Sequence, residues 1–349
     1  MAYIDEVKTC WAKRMKSHDG IFGIEIETEA EHPNKYPTGF IIGGYDEDEG
    51  PFIRLGVDSK FWEVVSDNSL RNYGIEYVLK EPVSFEKAME ALDEFDSMTK
   101  NVEFLYEPPA CSVHVHMNIQ SLEISQIGNL VTLWTLFENI LIEFCGESRR
   151  SNLFALPMRC AEKSHENFMS FFNSFEEGQL KVSIDEYTMK YGALNLAPVL
   201  SRGSLEFRSM RGTTDISVLQ KWIMVLNDLR EAAKRYDKPT DILDIYRDLG
   251  PDYLFKRVFT TSYWFLKHDI EDFDEKFFDF VERNLYYACC IAYSVDDWKR
   301  VNTVLSEKKR LSKGKTSVKK TWTDMDAMSP DELNDFIAQH VAPTGVEIP

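Results

Sequence analysis

The chain has 349 residues, 44% of them apolar, with 23 Phe, 15 Tyr and 7 Trp; this is enough to build a large ordered core and excludes a disordered chain. Its formal charge of -18 repels phosphate backbones at long range and argues against a duplex nucleic-acid partner. The six cysteines form no CxxC pair, and the charged start MAYIDEVKTC has no secretory pattern, so a cytoplasmic protein is expected.

In chain order, Gly23-Ile24-Glu25-Ile26-Glu27 reads as a strand. It is followed by a loop from His32 to Gly50 that contains Gly43-Gly44 and the acidic run Asp46 to Glu49. Phe52 to Val57 and Phe61 to Val65 predict a hairpin, closed by turn residues Asp67-Asn68-Ser69-Leu70, and Ile75 to Val78 is a further strand. Ser84 is placed to cap a helix running to about Met98, because Phe85, Ala88, Ala91, Leu92 and Phe95 recur at helical spacing. Val113 to Asn118 alternates like a strand. Ile124 to Phe144 then predicts a long apolar helix with Gly146 at its end, but Thr132, Thr135, Glu138, Asn139 and Glu143 make it too polar for a membrane span. No membrane association is expected.

Arg149 and Arg150 follow that helix, an adjacent pair able to bind an anion. A short amphipathic helix from Glu166 to Phe175 precedes strands at Ala193 to Leu196 and Leu205 to Arg208. From Asp215 the pattern turns helical: Ile216 to Tyr236, Asp241 to Leu249, Asp274 to Ser294 and Asp331 to His340. The expected organisation is a catalytic α+β part over residues 1–214 and a mostly helical extension over 215–349 that packs on it. Within the extension, Lys308, Lys309, Arg310, Lys313, Lys315, Lys319 and Lys320 carry no acid among them. That basic loop reads either as a solvated surface segment or as a flap drawn to phosphates or to an acidic partner.

Alternation decides which side chains meet. Successive residues of a strand point to opposite faces, so Ile24, Val113, Val115, Leu205 and Phe207 can share one face while Glu25, Glu27, His114, His116, Glu206 and Arg208 share the other. Glu25 and Glu27 would stand about 7 Å apart along the strand, a span that suits two neighbouring metal sites. A half-exposed edge strand makes the same Glu-x-Glu pattern. Buried together without counter-charge, these carboxylates would be costly to desolvate, so a divalent cation is expected among them. The histidines allow zinc, whereas the glutamates favour magnesium or manganese. Arg208 beside Glu206 is suited to clamp a phosphoryl group, although a local ion pair gives the same sequence.

The ordered stretches Gly23 to Glu27, Trp62 to Leu70, Gly74 to Val78, Val113 to Asn118, Arg149 to Asn152, Lys190 to Leu196 and Leu205 to Arg208 with Gly212-Thr213-Thr214 resemble the amidoligase family of the carboxylate-amine ligase superfamily, relatives of glutamine synthetase and glutamate-cysteine ligase. The resemblance covers about residues 20 to 235. It implies a curved antiparallel sheet, a glutamine synthetase-like half-barrel flanked by helices, that holds ATP and two or more Mg ions, with Mn as a substitute. By motif it implies Glu25, Glu27, Glu76, His114 and Glu206 as metal ligands, with Arg208 and Glu206 in catalysis. It further implies His116, Asn118, Asn195, Arg149, Arg150, Asp67 and Lys190 as nucleotide or substrate contacts. Asp67 lies where the family often reads Asp-Gly-Ser-Leu; Asn68 here replaces the glycine.

The implied reaction is ATP-dependent amide or isopeptide bond formation through an acyl phosphate, joining a carboxylate and an amine carried by small molecules, peptides or proteins. A homo-oligomer is compatible with the resemblance, and no residue in the sequence marks the proton-accepting base. A guanidino or other small-molecule kinase of the same fold is an alternative, as is a non-catalytic assembly protein that retains the fold. A zinc hydrolase is a weaker one.

Overall fold

A computed structural model describes residues 19–29, 41–46, 50–55, 59–67, 69–70, 74–106, 108, 110–150, 152–161, 165–168 and 191–308. The expected contact Lys190, the turn residue Asn68, nearly all of the basic loop and the expected helix at Asp331 to His340 lie outside these residues. The protein is α+β. Eight strands, β1 Phe22–Thr28, β2 Ile41–Asp46, β3 Gly50–Leu55, β4 Trp62–Ser66, β5 Ile75–Leu79, β6 Ser112–Asn118, β7 Leu194–Asn195 and β8 Ser204–Arg211, form one sheet in the order β2-β3-β4-β5-β1-β6-β8-β7. Every pairing in it is antiparallel. The expected loop between His32 and Gly50 is corrected in part: Ile41–Asp46 pairs with Gly50–Leu55, so the Gly43-Gly44 pair sits inside a strand, while residues 32–40 and 47–49, with most of the acidic run, lie outside the described residues.

The helices are α1 Phe85–Thr99, α2 Ile124–Cys145, α3 Pro198–Ser201, α4 Ile216–Ala233, α5 Pro239–Leu249, α6 Pro251–Val258, α7 Tyr263–Asp269 and α8 Phe273–Lys308. Ser84 caps α1 as expected, its hydroxyl accepting from Lys87 N, and Gly146, at φ 114°, ends α2. Asp215 caps α4 by accepting from the backbone of Ser217 and Val218. Helices α6 and α7 fall in a stretch where no helix was expected, because short helices show too few turns to establish a period.

One sheet face is the core. Trp62, Tyr77, Ile24, Ile26, Val113, Val115, Leu205 and Phe207 are all at or below 1% exposure. They pack against α1, α2 and α4: Trp62 Nε1 donates to Ala91 O in α1 at 2.8 Å, and Trp134 of α2 meets the Phe207 ring edge-on at 4.9 Å. The expectation that this helix is too polar to span a membrane is corrected: α2 has the length and composition of a span, but 89% of its most apolar 18 residues is buried inside the protein. The apolar side of each strand thereby fixes the direction of its polar side, because shifting the register by one residue would turn glutamates into the core.

Candidate active site

The opposite face carries the chemistry. Strand β1 is central, so its two glutamates are flanked on both sides: Glu25 lies opposite His114 of β6 and Glu27 opposite Glu76 of β5. One strand further, Glu206 of β8 is paired with both His116 of β6 and Asn195 of β7. The matched parity of the sequence is therefore realised in space. Glu25, Glu76 and His114 offer ligand atoms within 4.8 Å of one another, and so do Glu25, His116 and Glu206.

His114 is the hub. Its Nδ1 lies 3.5 Å from Glu25 Oε2 and 3.5 Å from Glu206 Oε1, while its Nε2 is 3.9 Å from Glu27 Oε1. Ser112, two residues earlier on the same face, orients it. Ser112 donates to Glu27 Oε2 through both its backbone N–H, at 2.6 Å, and its hydroxyl, at 2.8 Å. With its single proton so used, the hydroxyl accepts from His114 Nε2 at 2.7 Å. That assignment puts a proton on Nε2 and turns Nδ1 toward Glu25 and Glu206, where a cation would be held.

His116 Nε2 stands 3.3 Å from Glu25 Oε1, and its Nδ1 is 3.2 Å from Ser204 Oγ. Asn195 Nδ2 donates to Glu206 Oε2 at 2.6 Å, and Arg208 Nη1 donates to Glu206 Oε1. Burial alone would raise Glu206, but the Arg208 charge, with His114 and His116, outweighs it and holds the carboxyl low. Burial likewise works against ionising Glu25 and is overcome by His116 and His114, leaving Glu25 well below the usual carboxylate range. Burial disfavours the His116 cation, yet the Glu25 carboxylate raises it.

Among the described residues, Glu76 has no such partner. Burial, compounded by Glu25, Glu27, Asp67 and Glu206, pushes it up to about 9. A carboxyl kept neutral by four surrounding acids marks a place where positive charge belongs, and a donor set of carboxylate oxygens with imidazole nitrogens fits magnesium or manganese.

A bulge shapes the fourth wall. Between Val113 and Val115 the pairing with β8 slips from Met210 to Phe207, so β8 carries one extra residue opposite His114. Arg149, buried after α2, donates Nε and Nη2 to the carbonyls of Ser209 at 3.0 Å and Arg208 at 2.6 Å, fixing the bulged backbone. Arg150 turns away and pairs with Glu143 at 2.6 Å. Asn118 donates to Gly20 O and accepts from Gln120 N, beside the cluster. Asp67 caps its own turn, accepting from Ser69 N at 2.7 Å, and bears on the site through its charge on Glu76.

Three cavities open onto this face. One of about 680 Å³ is bounded by Glu25, Glu63, Glu76, His116, Arg202 and Glu206. A second, about 350 Å³, shares Glu25, His116 and Arg202 and reaches Asn118 and Gln120. The third, about 410 Å³, lies at the Glu27 end, with Phe104, Tyr106, Thr213 and Asp215. Sequence reasoning missed Ser112, Glu63 and Arg202. Parity could have found Ser112 and Glu63, which alternate with known neighbours, whereas Arg202 arrives from a loop that carries no periodic signal.

An antiparallel α+β scaffold whose polar face gathers four glutamates, two histidines and an arginine defines a candidate cation-dependent enzyme. The sequence profile of the family described as "Putative amidoligase enzyme" matches residues 21–229, more than half of the chain, and the protein belongs to that family. Comparison with curated proteins gave no match.

Proposed function

We propose that the protein is an ATP- and Mg-dependent carboxylate-amine ligase that forms an amide or isopeptide bond through an acyl phosphate. On this reading the sheet is the half-barrel of the glutamine synthetase and glutamate-cysteine ligase superfamily, and the protein works in the cytoplasm. The family's name supports amide-bond formation. The observation that carries the rest is the Glu25–Glu76–His114 and Glu25–His116–Glu206 constellation, with Arg208 bonded at its edge.

Glu25, Glu27, Glu76, His114 and Glu206 would hold the ions. When bound, magnesium neutralises the phosphate oxygens and so permits two anions, the nucleotide and a substrate carboxylate, to approach. The remaining work belongs to the chain. Arg208 offers its other guanidinium donors to the phosphoryl group in transfer, and Glu206, itself fixed by Asn195, keeps the guanidinium aimed. Ser112 holds Glu27 and the His114 ring. The sheet positions rather than reacts, which is what phosphoryl transfer requires of a protein.

The test is a coupled assay across small-molecule, peptide and protein carboxylates and amines. ADP and phosphate are expected only when both a carboxylate and an amine are present, and phosphorus NMR should reveal no stable phosphorylated product. Accumulation of such a product would assign the protein to the kinases. No turnover despite magnesium-dependent ATP binding would count against catalysis.

A further inference from the structure

Strand β7 has two residues, Leu194 and Asn195, and stands last in the sheet, yet Asn195 Nδ2 is what fixes Glu206 Oε2. Strands usually run to about five or six residues, so one this short owes its place to what flanks it. On one side is β8: Leu194 lies opposite Phe207 and Asn195 opposite Glu206, and just before them Ala193 O accepts from Arg208 N at 2.9 Å. On the other side, among the described residues, Leu156 supplies the support. Its N–H donates to Tyr191 O and its carbonyl accepts from Ala193 N, both at 2.8 Å, which makes a parallel bridge to Gly192.

Leu156 is in turn pinned from the core. Two residues on, Met158 N donates to Glu138 Oε2 at 2.7 Å. Glu138 belongs to α2 and is wholly buried. Its other oxygen, Oε1, accepts from Trp134 Nε1 at 3.0 Å, and the Trp134 ring is the one that meets Phe207 edge-on, between Glu206 and Arg208 on β8. Burial pushes the Glu138 carboxyl up to about 8, against the pull of these two N–H groups and of the Arg159 charge. An acid is costly to keep so deep in a core, and the reading above makes no use of it. Its partners show what it does: one carboxyl ties α2 both to the turn behind β7 and to the ring beneath β8.

We propose that Glu138 is a positioning residue for the site: by holding Met158 it keeps Leu156 against Ala193, and so sets Asn195, Glu206 and Arg208 on the polar face. It acts on all three through the backbone of the Met158 turn and of β7. The assignment goes beyond the ligase reading and does not depend on it, because it concerns the shape of the β7–β8 wall and not the reaction run there. Arg149 holds the same wall from the other end of that connection, through the carbonyls of Arg208 and Ser209. Glu138 is the anchor at the near end.

The experiment is amide hydrogen exchange together with Mn calorimetry on the full chain, comparing wild type with two variants. Glu138→Met fills the space and removes both acceptors. Met158→Pro removes the same hydrogen bond from the donor side while the acid stays, and Pro157, at φ -55° and ψ 151°, has the extended backbone that a following proline requires. In each variant the amides of Leu156, Ala193 and Arg208 should exchange about 10-fold faster, a local opening, while those of β1 and β5 keep wild-type protection. Mn should bind roughly 10-fold more weakly. Faster exchange spread evenly over every strand of both variants would show that Glu138 serves stability alone. Unchanged protection at Ala193 and Arg208 would show that β7 stands without it, and wild-type Mn affinity despite an opened β7 would show that the wall does not shape the cluster. Any of these overturns the proposal. Should Glu138→Met fail to fold, Met158→Pro decides by the same readings. Wild-type protein that binds no Mn would sink the cation reading alone, since the exchange measurement needs no cation.

Discussion

Ser112 shows how much of the site rests on one small side chain. Its hydroxyl proton goes to Glu27, so His114 Nε2 donates to the hydroxyl and the ring is fixed with Nδ1 facing Glu25 and Glu206. Groups that orient a metal-binding histidine are worth about 10- to 100-fold in metal affinity, so Ser112→Ala should weaken Mn binding by roughly 10-fold while the melting temperature stays close to wild type. Unchanged Mn affinity by calorimetry would show that the histidine is oriented by the carboxylates instead. Glu76 makes a second prediction, with a definite sign. Its carboxyl, ordinarily near 4.5, is raised to about 9 by burial and by its acidic neighbours. The folded, cation-free protein thus holds a proton that the unfolded chain releases. That contribution to stability is complete below pH 4.5 and is lost as the pH climbs through about 9. A divalent cation reverses the preference and expels the proton. At pH 7.5, Mn binding should release close to one proton through this residue, seen as a dependence of the apparent binding enthalpy on the ionisation enthalpy of the buffer. Glu76→Gln should reduce the release by about that amount.

Strands and helices set these residues in place, and β8 is the most demanding of them. Its extra residue sits opposite His114, and the carbonyls on either side of it are claimed by Arg149. Arg149→Met keeps the bulk of the side chain but withdraws two charged donors from buried carbonyls, at a cost of about 3 kcal/mol. It should also let Arg208 drift, so catalytic turnover falls more than Mn affinity does; equal losses in both would place Arg149 among the ligand-supporting groups. The bulge also explains where the sequence was legible and where it was not. Glu25, Glu27, His114, His116, Glu206 and Arg208 could be assigned to one face because apolar residues alternate with them, and β1 and β6 pair with each other in a regular ladder. In β8 the period breaks after Arg208: Met210 returns to the core opposite Val113, so alternation carried past Arg208 would have put it on the wrong side. Arg149 looked like an anion binder because two arginines follow a helix end, and nothing in that spacing separates the buried Arg149 from the surface Arg150. Strand β2 escaped notice for a similar reason. Gly43-Gly44 reads as a turn in isolation, and only its pairing with Ile53 and Phe52 makes it strand.

At the scale of the molecule, the change of pattern near residue 215 is a change of secondary structure that the packing ignores. A single apolar cluster runs from Phe22 in β1 to Val295 in α8. Helix α2 is its axis, packing on β8 through Trp134 and on α4 through the Trp134–Trp222 contact at 6.3 Å. Asn129 of α2 donates to Ala233 O at 2.9 Å and Tyr236 O at 2.7 Å, and Asn139 donates to Asn284 Oδ1 at 3.2 Å. Strip away α4 and α8 and α2 would offer water two apolar faces, leaving the sheet without the layer that holds its glutamates outward. Residues 215–308 should therefore unfold together with the strands. Differential scanning calorimetry should give one transition whose calorimetric and van't Hoff enthalpies agree, and a chain ending at residue 214 should not fold. Gly128 offers a finer probe, since a Cβ there would come within 2.9 Å of Val295 Cγ2 and 3.0 Å of Pro239 Cγ. Gly128→Val should destabilise the protein by about 1 to 3 kcal/mol through overpacking, and the loss should appear in the same single transition that melts the glutamate–histidine face of the sheet. Two transitions, with only the later helices shifted by Gly128→Val, would mean that the sheet stands without them.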